Sequence, residues 1–253
     1  MEYIIGIFIL GAVIAIHEIG HYIPSKIYGV KVKEFSIGLP FSPKILTLFK
    51  HKETEFTIRA IPLGGFIEFQ DHEEISRLPL IKHAVVTISG PLFNILAGYI
   101  IILSVFVFFT ELSLIESISR VNEFVILVAS GTWGLFIDIL HLGDAVDDTI
   151  GPIGIVKSTG DQINLGFVKS VLYFSSLNIG VGFFNLLPIP ILDGGQLVLI
   201  FIESITSKKV SSYIRTASLA IGLVAVLLLL SITLFNDIES KCDKNKSYLQ
   251  ISQ

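Results

Sequence analysis

Long uncharged runs constrain this chain more than any other feature of its sequence. Four stretches approach or exceed the roughly 20 residues that a helix needs to cross a hydrocarbon core, and they cover residues 3–23, 84–109, 167–187 and 216–235. Only 16% of the 253 residues are charged and the mean hydropathy is +0.76, whereas about a quarter of the residues in a soluble protein carry charge. We therefore expect a mainly α, polytopic membrane protein with about four transmembrane helices.

Charge and cysteine content exclude several other classes of protein. The formal net charge is −4 and no basic stripe is present, which argues against a nucleic-acid partner. Cys242 is the only cysteine, so the chain cannot form an internal disulfide. No internal repeat is visible, and we predict a single domain over residues 1–253.

Basic residues indicate how the spans are oriented, because lysine and arginine accumulate in short cytoplasmic loops. The loop between the first two spans is rich in them: Lys26, Lys31, Lys33, Lys44, Lys50, Lys52, Arg59, Arg77 and Lys82. The long connection between the second and third spans holds only Arg120 and Lys157. We predict a cell inner membrane protein with its N-terminus outside and this loop in the cytoplasm.

The first cytoplasmic loop has the pattern of a small sheet. Apolar and polar residues alternate from Val30 and again from Thr54, and a turn with Gly64 and Gly65 precedes FIEF. We predict a membrane-associated antiparallel β-sheet over residues 30–69; an ordinary soluble hairpin would show the same periodicity. Apolar residues between its strands would hold it against the bilayer: Phe41, Ile45, Leu46, Leu48 and Phe49.

His17, Glu18 and His21 form an H-E-x-x-H motif inside the first span. Residues four apart share one face of a helix, so both imidazoles can converge on one metal ion while Glu18 reaches a water bound to it. Ionisable groups inside a span cost about 2.5 to 3.5 kcal/mol each, so such a cluster is a functional site by default. The alternative is structural, with the histidines hydrogen-bonding across helices and Glu18 paired to a lysine.

A catalytic zinc site normally has three protein ligands, and Asp193 is the best candidate for the third. It is the only acid in LLPIPILDGGQLVLIF, where Pro188 and Pro190 interrupt the helix. A lone aspartate could instead cap the following helix, and a histidine such as His141 is the next candidate ligand.

Membrane depth tests this choice of ligand. His21 lies at the inner end of the first span, so Asp193 must lie at the inner end of its own. With four crossings the third span runs inward and the depths agree. A fifth apolar run, residues 124–142, holds Asp138 and His141 and is nearly long enough to cross. Its crossing would reverse the third span, and we therefore predict that this run is interfacial or re-entrant.

The sequence resembles the site-2 protease family of intramembrane zinc metalloproteases, peptidase family M50, and within it the bacterial branch that cleaves anti-sigma factors. The pieces that carry the resemblance occur in family order over nearly the whole chain: AIHEIGHY, FSIGLPFSPK, IPLGGFIEF, SGPLFN, GPIGIVKSTG and NLLPIPILDGG. One departure is the connection of residues 110–150, which is too short for the PDZ domains that this branch usually carries, each of about 90 residues; we expect no PDZ domain here.

The resemblance implies one Zn²⁺ per chain, bound by His17, His21 and Asp193, with Glu18 as the catalytic glutamate. It also implies that the sheet receives an extended substrate and that Asn185 handles it.

Residues near the sheet edge complete the predicted substrate-binding set. Gly64, Gly65 and Phe66 would accept a substrate strand added to the sheet, although a hairpin turn explains the glycines equally well. Asn94 would pin the start of the second span beside the substrate, or would simply pack between helices.

These features together predict hydrolysis of peptide bonds in or near the transmembrane segments of membrane proteins. The expected partners are the lipid bilayer and a substrate with a single transmembrane segment, of the anti-sigma factor or remnant signal peptide type. The alternatives are a membrane metal-ion transporter and a non-catalytic zinc-binding adaptor. A transporter would usually show inverted repeats and paired broken helices, and neither is apparent in the sequence.

Overall fold

The computed structural model describes residues 2–61, 64–71, 74–140, 166–224, 227, 228 and 231. The α-helices of these residues are α1 (Glu2–Ile27), α2 (Leu80–Phe109), α3 (Leu114–Leu140), α4 (Phe167–Asn185), α5 (Asp193–Thr206) and α6 (Ser212–Val224). The strands are β1 (Val32–Ile37), β2 (Lys44–His51), β3 (Thr54–Arg59) and β4 (Gly65–Phe69). The chain is mainly helical with one small sheet, as predicted.

Four helices of the described residues are long and apolar enough to cross a membrane: Gly6–Ile27, Leu80–Phe109, Leu114–Asp138 and Phe167–Asn185. Three of them match the first three predicted spans. The fourth is α3, not the predicted run 216–235. For that run the structure describes the shorter helix Ser212–Val224 and single residues beyond it, and the rest lies outside the described residues.

Helices α1, α2 and α4 pack closely because glycines let their backbones approach. A side chain at Gly20 of α1 would clash with Ser89 and Gly90 of α2, and one at Gly98 of α2 would clash with Ser175 of α4. The rings of Phe109 and Phe167, at the end of α2 and the start of α4, have centroids 6.2 Å apart. Helix α4 therefore runs antiparallel to α2, and its last turn lies beside Pro91, since a side chain at Gly182 would meet the Pro91 carbonyl oxygen at 2.8 Å.

Helix α3 meets this bundle only through its first half. Val121 is fully buried with Ile102 and Ile179, and Tyr99 donates a hydrogen bond of 3.0 Å to Asn122. Farther along, Trp133 is 53% exposed. The helix begins ten residues before the segment that was expected to be interfacial or re-entrant. Helices α2 and α4 are antiparallel, so α4 begins on the side of the membrane where α2 ends. If α3 crossed the membrane completely, residues 141–165 would have to cross it again. That residues 124–142 do not cross therefore stays a prediction.

The four strands form one mixed sheet in the order β2-β3-β1-β4. The sheet was expected to be antiparallel, but β1 and β3 pair in parallel, with Phe35 opposite Phe56. The β2–β3 hairpin turns back so that β3 inserts beside β1. Tyr22 of α1 makes edge contacts with both phenylalanine rings, at centroid distances of 5.9 and 5.7 Å, and thus anchors the sheet to α1.

Strand β2 differs from the expectation for its residues. The apolar residues 45–49 were placed between strands, yet they form most of a strand whose residues are all exposed. Phe49 stacks on Phe56 at 4.4 Å, while Ile45 is 68% exposed. Apolar side chains occupy both faces of β2, so the alternation that marks a half-buried strand is missing.

A buried ion pair holds the sheet together internally. Glu34 of β1 is 5% exposed and receives a bidentate hydrogen bond from Arg59 of β3 at 3.0 and 3.1 Å. Thr57 donates a further hydrogen bond of 2.6 Å to it. Burial alone would raise the pKa of Glu34, but the hydrogen bonds from Thr57 and Arg59 and the charges of Arg59 and Lys44 outweigh it and leave that pKa below its usual value.

Candidate metal centre

The histidines of the H-E-x-x-H motif converge as the helical spacing predicts. His17 and His21 lie one turn apart on α1, and their Nε2 atoms are 3.1 Å apart. The next helix fixes the ring of His21, whose Nδ1 donates to the carbonyl oxygen of Val86 at 2.8 Å. At Gly90 of α2 a side chain would overlap the same ring, since its Cβ would lie 2.2 Å from His21 Nε2. This close approach of α1 and α2 sets the position of the imidazoles.

Asp193 reaches the histidines through a tight turn between α4 and α5. Leu192 N–H donates to the Ile189 carbonyl at 2.8 Å, and the turn packs so tightly on the start of α5 that a side chain at Gly194 would meet the Leu186 carbonyl at 2.2 Å. Asp193 is the first residue of α5, but no side chain caps that helix. Its Oδ2 atom lies 3.1 Å from His17 Nε2 and 3.3 Å from His21 Nε2.

These three atoms fit a zinc ion. Their separations of 3.1 to 3.3 Å match the spacing of about 3.3 Å between ligand atoms that lie about 2.0–2.1 Å from a tetrahedral ion. Asp193 Oδ2 is buried and has no hydrogen-bond partner among the described residues. Two imidazole nitrogens and a carboxylate oxygen are a donor set that zinc prefers. His17, His21 and Asp193 are also the group of potential metal ligands that the described part of the chain brings together.

Glu18 lies beside this cluster and is 8% exposed. The sheet approaches it through β4, because a Cβ at Gly65 would lie 2.8 Å from Glu18 Cγ and 3.2 Å from Oε1. A glycine at this position therefore leaves room for the carboxylate. The carboxylate, the metal ligands and the edge strand of the sheet meet at one place.

A cavity of about 360 Å³ extends from the cluster along β4. Glu18, His21 and Asp193 line one end of it. Ile67 and Phe69 of β4 and several residues of α2, α5 and α6 line the rest, among them His83, Gln196 and Arg215. Glu18, two of the candidate metal ligands and strand β4 therefore share one cavity.

Sequence reasoning missed the polar residues at the far end of this cavity. Arg215 donates to the buried carboxylate of Glu203 at 3.1 Å and lies 3.4 Å from Gln196 Oε1. Glu203 also accepts a hydrogen bond of 2.9 Å from the backbone of Val210, which ties α6 to α5. The sequence did contain a signal, because Glu203 is the single acid within the apolar helix LVLIFIESI. Asp193 is isolated among apolar residues in the same way, but no recognisable motif surrounds Glu203.

The other predicted site residues lie in or beside β4, at the end of α4 and within α2. Gly64 accepts a hydrogen bond of 2.6 Å from Gly38, and Phe66 lies under the guanidinium of Arg59 at 5.0 Å. Asn185 ends α4 and donates to the Val181 carbonyl at 2.9 Å. Asn94 is fully buried beside His17. Of these, Gly65 touches Glu18 and Asn94 touches a metal ligand.

Comparison with known proteins points to one family. The model of peptidase family M50 matches residues 5–229. A protein of Clostridium acetobutylicum whose name places it among the zinc metalloproteases is 23% identical, over 93% of this chain and 96% of its own length. That alignment spans 334 positions against 253 residues here, so at least 81 positions have no counterpart in this chain.

Shorter stretches show higher identity to two further proteins. A Thermotoga maritima protein, also named as a zinc metalloprotease, is 40% identical over 39% of this chain and 22% of its own length. Protease RseP of Photorhabdus luminescens is 36% identical over 39% of this chain and 44% of its own.

Proposed function

Because the chain belongs to peptidase family M50, a family of zinc metalloproteases, we propose that it hydrolyses peptide bonds in or near the transmembrane segments of membrane proteins. In this proposal His17, His21 and Asp193 hold the zinc ion and Glu18 is the general base. The single observation that carries it is the meeting of Asp193 Oδ2 with both imidazole nitrogens, 3.1 and 3.3 Å away. Asp193 is far from the histidines in sequence. Two histidines with a purely structural role would not require a carboxylate between them.

Glu18 moves the proton in the proposed reaction. Zinc, when bound in such a site, lowers the pKa of water to about 7 and polarises the carbonyl under attack. The Glu18 carboxylate takes the proton from the attacking water and then delivers it to the leaving nitrogen of the peptide. The Glu18 carboxylate lines the same cavity as His21 and Asp193, so both proton transfers would take place beside the proposed metal ligands.

The edge of β4 presents the substrate. A transmembrane helix satisfies its own backbone hydrogen bonds, so the scissile segment must unwind before attack. Strand β4 ends the sheet order and, among the described strands, pairs only with β1, which leaves its other edge to accept a strand. The cavity beside Ile67 and Phe69 runs along this edge to Glu18 and Asp193. Gly64, Gly65 and Phe66 would accordingly contact the substrate backbone.

Asn185 is proposed to stabilise the oxyanion that forms at the attacked carbonyl. Its amide nitrogen uses one hydrogen to bond the Val181 carbonyl, and the second N–H can donate to the substrate. The chain continues from Asn185 into the turn that presents Asp193, so the donor and the ligand belong to one rigid unit.

Orientation and substrate type complete the proposal. The basic loop before α2 supports an N-terminus outside and metal ligands toward the cytoplasmic side of the inner membrane. Gly90 lies ten residues into α2, and ten residues of helix rise about 15 Å, so water must enter a site below the membrane surface. Single-span substrates of the anti-sigma factor or remnant signal peptide type are proposed by analogy with the family.

The decisive experiment measures cleavage of a fluorescent single-span substrate in liposomes. Glu18→Gln should abolish cleavage while zinc binding is retained, because the ligands are unchanged. Glu123→Gln is the matched control, since Glu123 is an exposed glutamate of α3, and it should cleave at the wild-type rate. Cleavage by Glu18→Gln would overturn the role of Glu18. Zinc transport into the liposomes without cleavage would favour the transporter, and zinc binding with neither activity would favour the adaptor.

A further inference from the structure

The second ring nitrogen of each metal-binding histidine faces α2. His21 Nδ1 lies 2.8 Å from the Val86 carbonyl oxygen, which can only accept a hydrogen bond. The neutral imidazole of His21 therefore carries its proton on Nδ1, and its Nε2 has the lone pair that a metal requires. An acceptor of this kind behind a ligating histidine fixes its tautomer and its orientation.

His17 needs the same arrangement, and Asn94 is the residue behind it. The Asn94 side chain is fully buried, and its amide nitrogen lies 3.4 Å from His17 Nδ1. Val86, Gly90 and Asn94 are spaced four residues apart on α2 and so lie on one face of that helix. This single face contacts both imidazoles, through a carbonyl, a glycine and an amide.

The orientation of the Asn94 amide decides whether His17 can bind a metal. With the nitrogen toward His17, Asn94 donates, Nδ1 must accept, and the ring proton occupies Nε2, where the metal lone pair belongs. The amide oxygen is then buried without a partner among the described residues. A half-turn about the Cβ–Cγ bond exchanges the two ends of the amide in the same volume. The oxygen then accepts from His17 Nδ1–H.

We propose that Asn94 is a positioning residue of the metal centre whose side-chain oxygen accepts a hydrogen bond from His17 Nδ1 and presents His17 Nε2 to the metal ion. This role replaces the substrate contact predicted for Asn94 from the sequence. It rests on the proposed zinc site, and it assigns to α2 both of the acceptors that orient the histidines.

Two substitutions at Asn94 separate an acceptor from a donor. Asn94→Asp keeps an oxygen at the same place and has no N–H, whereas Asn94→Leu keeps the size and removes both functions. Asn178→Leu is the matched control, because Asn178, on α4, is also a fully buried asparagine whose oxygen has no partner among the described residues. Zinc affinity is measured by competition with a chromophoric chelator, and thermal unfolding is measured on the chelator-stripped proteins.

We expect Asn94→Leu to bind zinc about 10 to 100 times more weakly, the usual loss for an outer-shell partner. Asn94→Asp should bind zinc at least as tightly as the wild type, and Asn178→Leu should match the wild type. Zinc affinity in Asn94→Asp that falls as far as in Asn94→Leu would overturn the proposal, because the donor would then be the function that matters. Wild-type affinity in a folded Asn94→Leu would overturn it as well.

The aspartate variant decides the question even if Asn94→Leu does not fold. Failure of the wild type to bind zinc, or cleavage by Glu18→Gln, would instead count against the proposed function itself. The two failures are therefore distinguishable.

Discussion

Glu34 in the sheet and Asp193 at the metal centre are both largely buried carboxylates, and they differ in what surrounds them. Glu34 receives hydrogen bonds from Arg59 and Thr57, so its charge is neutralised by the protein itself. Asp193 Oδ2 faces two imidazole nitrogens and has no hydrogen-bond donor among the described residues. A buried charge must be paired or must bind a cation. The protein itself thus supplies the partners of Glu34, while the proposed zinc ion would be the partner of Asp193.

Substituting Asp193 should have the largest effect on zinc binding, and it tests the carboxylate for which we propose a metal ion as partner. Asp193→Asn keeps the shape but loses the anionic ligand, so we expect zinc affinity to fall by more than about 100-fold, the upper end for outer-shell partners, and cleavage to be lost. The protein should still insert into the membrane. Zinc content by mass spectrometry of the purified variant is the measurement. A zinc content equal to that of the wild type would move the third ligand elsewhere, with His141 the next to test.

Substituting Arg59 tests the other carboxylate, Glu34, whose partners belong to the protein itself. Arg59→Met removes the cation that hydrogen-bonds the buried Glu34 and leaves only Lys44 Nζ, 3.7 Å away, and breaking a buried pair in this way costs about 3–5 kcal/mol. We expect a large loss in the free energy of unfolding in detergent, with zinc affinity close to the wild-type value. Arg77→Met is the control, because the ion pair of Arg77 with Asp71 is exposed and such pairs contribute about 0–1 kcal/mol. Equal destabilisation by the two variants would erase the distinction between the two carboxylates.

Gly65 tests how the sheet and the metal centre are joined. A methyl group there would lie 2.6 Å from Ile14 Cγ2 and 2.8 Å from Glu18 Cγ, and such overpacking typically costs about 1–3 kcal/mol. We expect Gly65→Ala to displace Glu18 and lower kcat while zinc binding is retained. In Gly131→Ala, where no described atom lies within 4 Å of the added carbon, kcat should be unchanged. Unchanged kcat in Gly65→Ala would show that β4 does not constrain Glu18.

Acidification should have the smallest effect and acts on Glu34. Its pKa in the folded protein is lower than the usual 4.5, so the unfolded chain takes up a proton first as the pH falls. The stabilisation from the Glu34 charge is present above that usual value and is lost as the pH falls through the lowered pKa. We therefore expect the stability difference between the wild type and Glu34→Gln to shrink from neutral pH to about pH 3. A difference that does not depend on pH would contradict the assigned role of the charge.

Local patterns in the sequence predicted much of the site. The four-residue spacing of His17 and His21 puts both rings on one face of α1 whatever surrounds it. Asp193 was predicted from an argument of depth, and the antiparallel packing of α4 on α2 brings the chain back toward the end of the bundle where α2 begins.

Other parts of the fold have no local signal. The sheet was expected from alternation, but β2 has apolar residues on both faces, and the parallel pairing of β1 with β3 joins strands that are not neighbours in sequence. The sequence predicted only the second half of helix α3. Its first half contains Arg120 and Glu123 and is polar on average, although one side of it packs on α2 and α4.

By itself, the sequence determined that apolar runs become helices in a bilayer and that a cluster of ionisable groups within one of them needs a partner, because these are consequences of backbone hydrogen bonding and the cost of burying charge. The tertiary structure alone decided which groups are the partners. Glycine contacts between α1 and α2 bring Asn94 and the Val86 carbonyl behind the imidazoles, and the β3–β1 pairing brings Arg59 to Glu34. Residues distant in sequence meet only through packing, which periodicity does not encode.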